Sequence, residues 1–244
     1  MSLPTLVAAV RTITTAVLVS GYVFVVGPLV LLWTLLARDA RLLYAVGAAG
    51  VRLGFALAGL RLRVVGDEHM RPNGAVYACN HSSNVDPPAM FLALERLFPG
   101  VAVLYKAELR RLPVLVWAFD IAGFVPLARA NPDQSWPAVE RAAEKLRSGT
   151  SFLIFPEGTR SRSGELLPFK KGGFVMAIKA QAPIVPVALV GGRNAMRRGS
   201  RLIWPAEITV QFLPVVTTAG CTFDDRDAVV SRVRAAIEQR LRSG

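Results

Sequence analysis

The apolar positions fall into two regimes. From Thr12 to Ala37 no charged residue interrupts the chain; Arg11 stands before this stretch and Arg38 and Asp39 follow it. As a helix, its 26 residues would reach about 39 Å at roughly 1.5 Å per residue. The hydrocarbon core of a bilayer needs about 30 Å. Pro28, after Gly27, removes a backbone donor and favours a kink. The stretch therefore reads as a kinked span or as a re-entrant pair of shorter helices. A second stretch, Leu42 to Leu60, carries Arg52 as its only charge. Together the two predict a helical hairpin in or across one leaflet. The apolar run is too long for a cleaved signal peptide, and no small-residue cleavage site follows it. A helix buried in a soluble core is the remaining alternative.

After residue 60 the runs shorten and alternate in type. Arg61 to Val65 alternates and predicts a strand, and Pro72-Asn73-Gly74 marks a turn. Ala75 to Cys79 predicts a buried strand that runs into Asn80 and His81. Pro87 and Pro88 suit a helix first turn, with helical spacing from Ala89 to Phe98. Ser135 and Pro137 open a predicted helix that Gly149 ends. Ser151 to Phe155, Ile184 to Val190 and Ile208 to Leu213 predict further strands, and Gly173 to Gln181 a short helix. Asp224 is the expected cap of a last helix whose Val229, Val233, Ile237 and Leu241 recur every four residues. Strands alternating with helices predict an α/β fold: a mixed, largely parallel sheet flanked by helices. The expected division is a hairpin over 1–60 and a catalytic domain over 61–244.

Composition sharpens this picture. The 244 residues suffice for one substantial domain and an appendage. Only 19% are charged, against about 25% in soluble domains, and most of the deficit precedes Arg61. Arg38, Arg41, Arg52, Arg61 and Arg63 outnumber the cations ahead of the apolar stretch, which would place the C-terminal bulk in the cytoplasm. The net charge of +12 suits an anionic partner or a solvated arginine surface. No basic stripe interleaved with aromatics points to nucleic acid. Two cysteines and two histidines offer neither a disulfide framework nor a histidine-rich metal site.

Two loops carry the chemistry. Asn80-His81-Ser82-Ser83-Asn84-Val85-Asp86 lies between a buried strand and a helix, where sites collect in α/β sheets. Asp86 can fold back onto one imidazole nitrogen of His81 and leave the other as a base. Ser82 and Ser83 are read as loop hydrogen-bonders or, less favoured, as nucleophiles. Phe155-Pro156-Glu157-Gly158-Thr159-Arg160 also ends an apolar strand. Gly158 allows close backbone approach to a ligand, and Arg160 can fork onto a phosphate. Glu157 would pair with a substrate hydroxyl or a neighbouring arginine. Gly123 to Arg129 ends in a second phosphate candidate, Arg129. Arg193, Arg197, Arg198 and Arg201 form a basic loop, read as facing anionic head groups or the phosphates of coenzyme A, or simply solvent.

In order, His81 with Asp86, Gly123 to Arg129, Phe155 to Arg160, and the Val185-Pro186 strand resemble the four motifs of the glycerolipid acyltransferase family. Over roughly residues 60 to 215 the chain is most similar to the bacterial 1-acyl-glycerol-3-phosphate acyltransferase branch, the PlsC type, which has an N-terminal hydrophobic two-helix membrane motif. The resemblance implies transfer of a fatty acyl group from acyl-CoA or acyl-carrier protein to lysophosphatidic acid, giving phosphatidic acid. Glycerol 3-phosphate or another lysolipid is the alternative acceptor. His81 and Asp86 would be catalytic; Arg129, Glu157, Gly158, Thr159 and Arg160 would hold the acceptor phosphate. Lys106 and Lys171, in lysine-bearing segments, would touch phosphate or coenzyme A. The resemblance implies no metal, no cofactor besides the acyl carrier, and a place at the cell membrane with the catalytic domain on its cytoplasmic face.

Overall fold

The computed structural model describes residues 2–106, 110–111, 116, 119–127 and 132–243. Helix α1 (Leu3–Ala37) and helix α2 (Arg41–Ala58) form a hairpin. α1 begins nine residues before Thr12 and runs through Pro28 as one helix. Arg11 does not end it: its guanidinium lies by the Gly59 turn beside Pro205. The two helices meet through small residues. Gly50 faces the Tyr22 ring so closely that a β-carbon would come within 2.7 Å of it, and the Tyr22 hydroxyl donates to the Val46 carbonyl (2.8 Å). α2 then docks on helix α3 (Asp86–Ala93) and the turn after it through Tyr44, Phe91 and Phe98, Tyr44 stacking on Phe98 at 4.5 Å.

The remainder is a seven-stranded sheet flanked by helices on both faces. Its strands are β1 (Leu60–Val65), β2 (Val76–Cys79), β3 (Val101–Lys106), β4 (Val125–Leu127), β5 (Ser151–Ile154), β6 (Ile184–Val190) and β7 (Ala206–Phe212). Their order is β1-β7-β6-β2-β5-β3-β4, and every pairing is parallel except β6 with β7. Side chains alternate across the sheet. Val76 and Ala78 of β2 join the core under helices α4 (Pro132–Arg147), α5 (Gly172–Ala180) and α7 (Arg226–Arg242). Tyr77 and Cys79 join the opposite core with α3, Phe55 and Ala58 of α2. A four-residue helix, α6 (Gly192–Ala195), follows β6.

Helix α3 starts at Asp86 and ends at Ala93, earlier at both ends than its spacing predicts, and other elements also differ from the sequence reading. α4 starts at Pro132 and carries Pro137 inside it. β3 is a strand that its weak alternation does not announce. The last helix is preceded not by an Asp224 cap but by a capping box, in which the Thr222 N–H and hydroxyl both donate to Asp225 (2.7 and 2.9 Å). The predicted stripe does face inward: Val229, Val233 and Ile237 are fully buried, and Leu241 packs against the same core.

Ile237→Ala should therefore cost about 2–5 kcal/mol, lowering the melting temperature by several degrees in a thermal scan of the detergent-solubilised chain. Arg232→Ala, on the exposed face of the same helix, should leave it unchanged. Equal melting of both variants would mean that the stripe does not seal the core.

Candidate active site

β6, β2 and β5 are neighbours in the sheet and leave it at the same end because they are parallel. The loops after them therefore converge. Asn80 joins two of these exits: its side-chain amide donates to the Leu189 carbonyl (3.0 Å), and its oxygen accepts the Leu189 N–H (2.7 Å).

His81 and Asp86 are brought together. Asp86 is fully buried, and its Oδ2 accepts the backbone N–H groups of Ser82 and Ser83 (both 2.7 Å). The same oxygen lies 3.0 Å from His81 Nδ1. An oxygen already accepting two N–H groups suits a donating Nδ1–H, which leaves the lone pair on Nε2. The His81 side chain stays 16% exposed, and the ring packs on Phe155 at 4.5 Å. Gly192 closes the back of the pair. A β-carbon there would come within 2.3 Å of Asp86 Oδ1, so only glycine lets α6 approach the carboxylate. Ser83 Oγ donates to the Met196 carbonyl (2.7 Å), a structural bond that ties the loop to the segment after β6.

Glu157 is 4% exposed. One of its oxygens accepts the His81 N–H (2.6 Å) and the other accepts the Leu167 N–H (3.0 Å). The Ser161 N–H donates back to the His81 carbonyl (2.8 Å). Both carboxylate oxygens of Glu157 thus serve the protein, clamping the β5 loop to the β2 loop. Burial pushes its carboxyl above the ordinary glutamate range, partly offset by the N–H groups of Leu167 and His81.

The cations lie around this clamp. Gly158 holds a left-handed φ of 68°, and the Lys170 side chain crosses it so closely that a β-carbon would come within 2.9 Å of Cε. Thr159 is exposed and Arg160 half-buried. The Arg160 carbonyl accepts a hydrogen bond from Arg198. Arg193 lies against Gly164, and its Nη1 is buried with no hydrogen-bond partner among the described residues. No ion pair engages Arg160, Lys170, Arg193 or Arg198 among the described residues. Lys171, by contrast, pairs with Asp227 of α7 (2.7 Å) and holds that carboxyl below the ordinary aspartate range. Arg129 and the Lys106 side chain lie outside the described residues. β4, which leads toward Arg129, parallels β3 and so points to the same end of the sheet, its preceding turn held by Lys145 Nζ on the Gly123 carbonyl (2.8 Å). Sequence reasoning missed Gly192 and Lys170. The Gly191-Gly192 doublet was the available signal for the first, and none distinguished Lys170 from Lys171.

Residues 61–190 match the family described as Acyltransferase, a span that includes His81, Asp86, Glu157 and Arg160. The chain is 34% identical to the 1-acyl-sn-glycerol-3-phosphate acyltransferase of Limnanthes douglasii over 184 residues, covering 75% of this chain and 64% of that protein. It is 33% identical to the human 1-acyl-sn-glycerol-3-phosphate acyltransferase alpha over 181 residues, covering 73% and 62%. The chain thus spans less than two thirds of the length of these curated relatives. The crystal structure of the 1-acyl-sn-glycerophosphate acyltransferase PlsC from Thermotoga maritima superposes with a TM-score of 0.78 at 26% identity, covering 98% of both chains.

The Glu157 clamp has a pH signature. With its folded value raised, the folded chain holds more protons than the unfolded chain between the ordinary and raised values. Stability therefore falls as pH rises through that window. Glu157→Gln should abolish this slope. It should also cost about 1–3 kcal/mol by setting an amide donor against the Leu167 N–H. Melting scans against pH check both, and parallel slopes for the two proteins would contradict the assignment.

Proposed function

The chain belongs to the acyltransferase family, and we propose that it moves a fatty acyl group from a thioester donor to the sn-2 hydroxyl of 1-acyl-glycerol 3-phosphate, forming phosphatidic acid. The observation that carries this reading is a part-exposed His81 held by a buried Asp86, beside cations that lack carboxylate partners among the described residues. A base needs an acceptor, and unneutralised guanidinium groups suit a phosphate monoester. The names of the relatives and of the Thermotoga structure support the same acceptor.

An alcohol is a poor nucleophile at neutral pH. His81 Nε2 takes the hydroxyl proton as the oxygen attacks the thioester carbonyl, and Asp86 stabilises the imidazolium that forms. The tetrahedral intermediate collapses by breaking its C–S bond, and the departing thiolate takes the proton from His81. The thioester is already activated, so no acyl-enzyme intervenes and Ser82 and Ser83 remain loop structure. Acyl-CoA and acyl-carrier protein both present such a thioester. Arg160, with Thr159 and the Gly158 turn, holds the acceptor phosphate, Arg129 is a further phosphate ligand, and Lys170 and Arg193 complete the positive rim. Lys106 is a further contact for phosphate or coenzyme A. Glu157 acts by positioning both loops, and Lys171, exposed and paired with Asp227, is an outer contact for phosphate or coenzyme A.

Residues 1–60 serve as the membrane-associated hairpin and 61–244 as the catalytic domain. α1 has a mean hydropathy of 2.2 in its most apolar window, of which only 11% is buried, too little for a core helix. α2 reaches 1.3 with 22% buried. The cations clustered after α1 support a catalytic domain on the cytoplasmic face. There the site meets an acceptor that is itself a membrane lipid.

His81→Ala should lower turnover about 10²- to 10⁴-fold while melting like the parent protein; substantial retained turnover would remove the general-base role. Arg160→Ala should raise the acceptor KM about tenfold or more, as expected for a lost charged hydrogen bond, and leave the donor KM nearly unchanged. Equal effects on both KM values would refute a phosphate-specific role.

A further inference from the structure

Arg197 and Arg198 are adjacent in sequence but serve different places. Arg198 reaches the Arg160 carbonyl at the active site. Arg197 instead lines a separate cavity of about 490 Å³ with Asn194, Ser200 and Trp204. That volume lies within the range of small-molecule sites.

The cavity lies in the connection between β6 and β7, whose last residues also touch the hairpin. On one side its wall continues into the catalytic loop. The Trp204 N–H donates to the Ala195 carbonyl (2.8 Å), the Met196 N–H to the Gly192 carbonyl (2.9 Å), and Ser83 Oγ to the Met196 carbonyl (2.7 Å). On the other side the Ile203 N–H donates to Thr12 Oγ1 of α1 (2.9 Å), and Pro205 packs by Gly59 and Arg11. The helix surface just before Thr12 is apolar and open: Leu6, Val7 and Val10 are exposed. The lining thus combines a guanidinium without a carboxylate partner among the described residues, a half-exposed indole, an amide and a hydroxyl. Guanidinium groups fork onto phosphates, and indoles settle at the headgroup level of a bilayer. A free anion would have no use for an indole wall or an adjoining apolar helix, whereas a phospholipid would use both.

We propose that this cavity holds the phosphodiester headgroup of an anionic membrane phospholipid, whose acyl chains lie along the first turns of α1. It is distinct from the acceptor site around Arg160. The proposal rests on the membrane reading of the hairpin. A headgroup seated here would touch Asn194 and Arg197, on either side of the Met196 carbonyl that holds Ser83, so lipid bound at the interface would brace the catalytic loop.

The test uses the full chain in nonionic detergent, with phosphatidylglycerol and phosphatidylcholine as probes and lipid retention read by native mass spectrometry. Wild type should retain phosphatidylglycerol preferentially. Arg197→Gln should weaken that retention about tenfold, the loss of one charged hydrogen-bonding pair, while melting like wild type. Arg201→Gln removes the same charge from an exposed position outside the lining and should leave retention unchanged. Equal losses in both variants would show diffuse electrostatic binding and overturn the proposal. Displacement of the lipid by inorganic phosphate or coenzyme A at equal concentration would assign the cavity to a free anion and also overturn it. Co-flotation of wild type with phosphatidylcholine vesicles tests the hairpin separately: failure there defeats the membrane reading, whereas success with an unaffected Arg197→Gln variant defeats only the lipid site.

Discussion

The site depends on a single carboxylate oxygen. Asp86 Oδ2 gathers two backbone N–H groups and the His81 ring into one point with no exposure to solvent. A buried carboxylate is costly unless hydrogen bonds replace its lost water, and hydrogen bonds to a charged group are each worth about 1.5–3 kcal/mol. The two N–H groups belong to the residues that immediately follow His81, so satisfying this oxygen also shapes the loop that carries the imidazole. The tautomer, the ring orientation and the loop conformation are therefore one constraint. Gly192 enters the same constraint from β6 because no side chain fits against Oδ1.

The sheet makes this possible at a distance in sequence. His81 and Glu157 are 76 residues apart, yet β2 and β5 are adjacent and parallel, so their exits meet. Glu157 then locks the two loops with both of its oxygens. This places the negative groups inward, consumed by the protein, and leaves Arg160, Lys170, Arg193 and Arg198 around them without carboxylate partners among the described residues. A positive rim around an imidazole base is what transfer to a phosphorylated alcohol requires. The hairpin completes the arrangement by packing α2 into the same core as α3, so the apolar hairpin and the His81 loop are separated by one helix.

Much of this was legible in the sequence. β2, β5 and β6 are short apolar runs bounded by turn residues or polar loops, so their existence and the chemistry at their ends could be read directly. The hairpin followed from an absence of charge, although Arg11 was misleading: a long side chain at a helix surface can reach a polar turn without ending the helix. β3 escaped because Val101 to Lys106 follows Pro99-Gly100 without clear alternation, and its strand character comes from pairing with β5 and β4. The partner of Glu157 was not legible, since it is a backbone N–H supplied by the sheet order. The choice between Lys170 and Lys171 was equally hidden: it is set by where α5 begins, which turns one lysine over Gly158 and the other toward Asp227. The cap of α7 shows the same limit on a smaller scale, where three acidic or hydroxylated residues compete and local geometry selects Thr222 with Asp225.

The central claim is that His81 acts on the acceptor hydroxyl directly, with no covalent intermediate on the protein. Rapid-quench measurement of thiol release from the acyl donor, with the protein in stoichiometric amount, tests it most directly. No release is expected with donor alone, and prompt release once lysophosphatidic acid is added. A stoichiometric burst of thiol in the absence of acceptor would reveal an acyl-enzyme and contradict it.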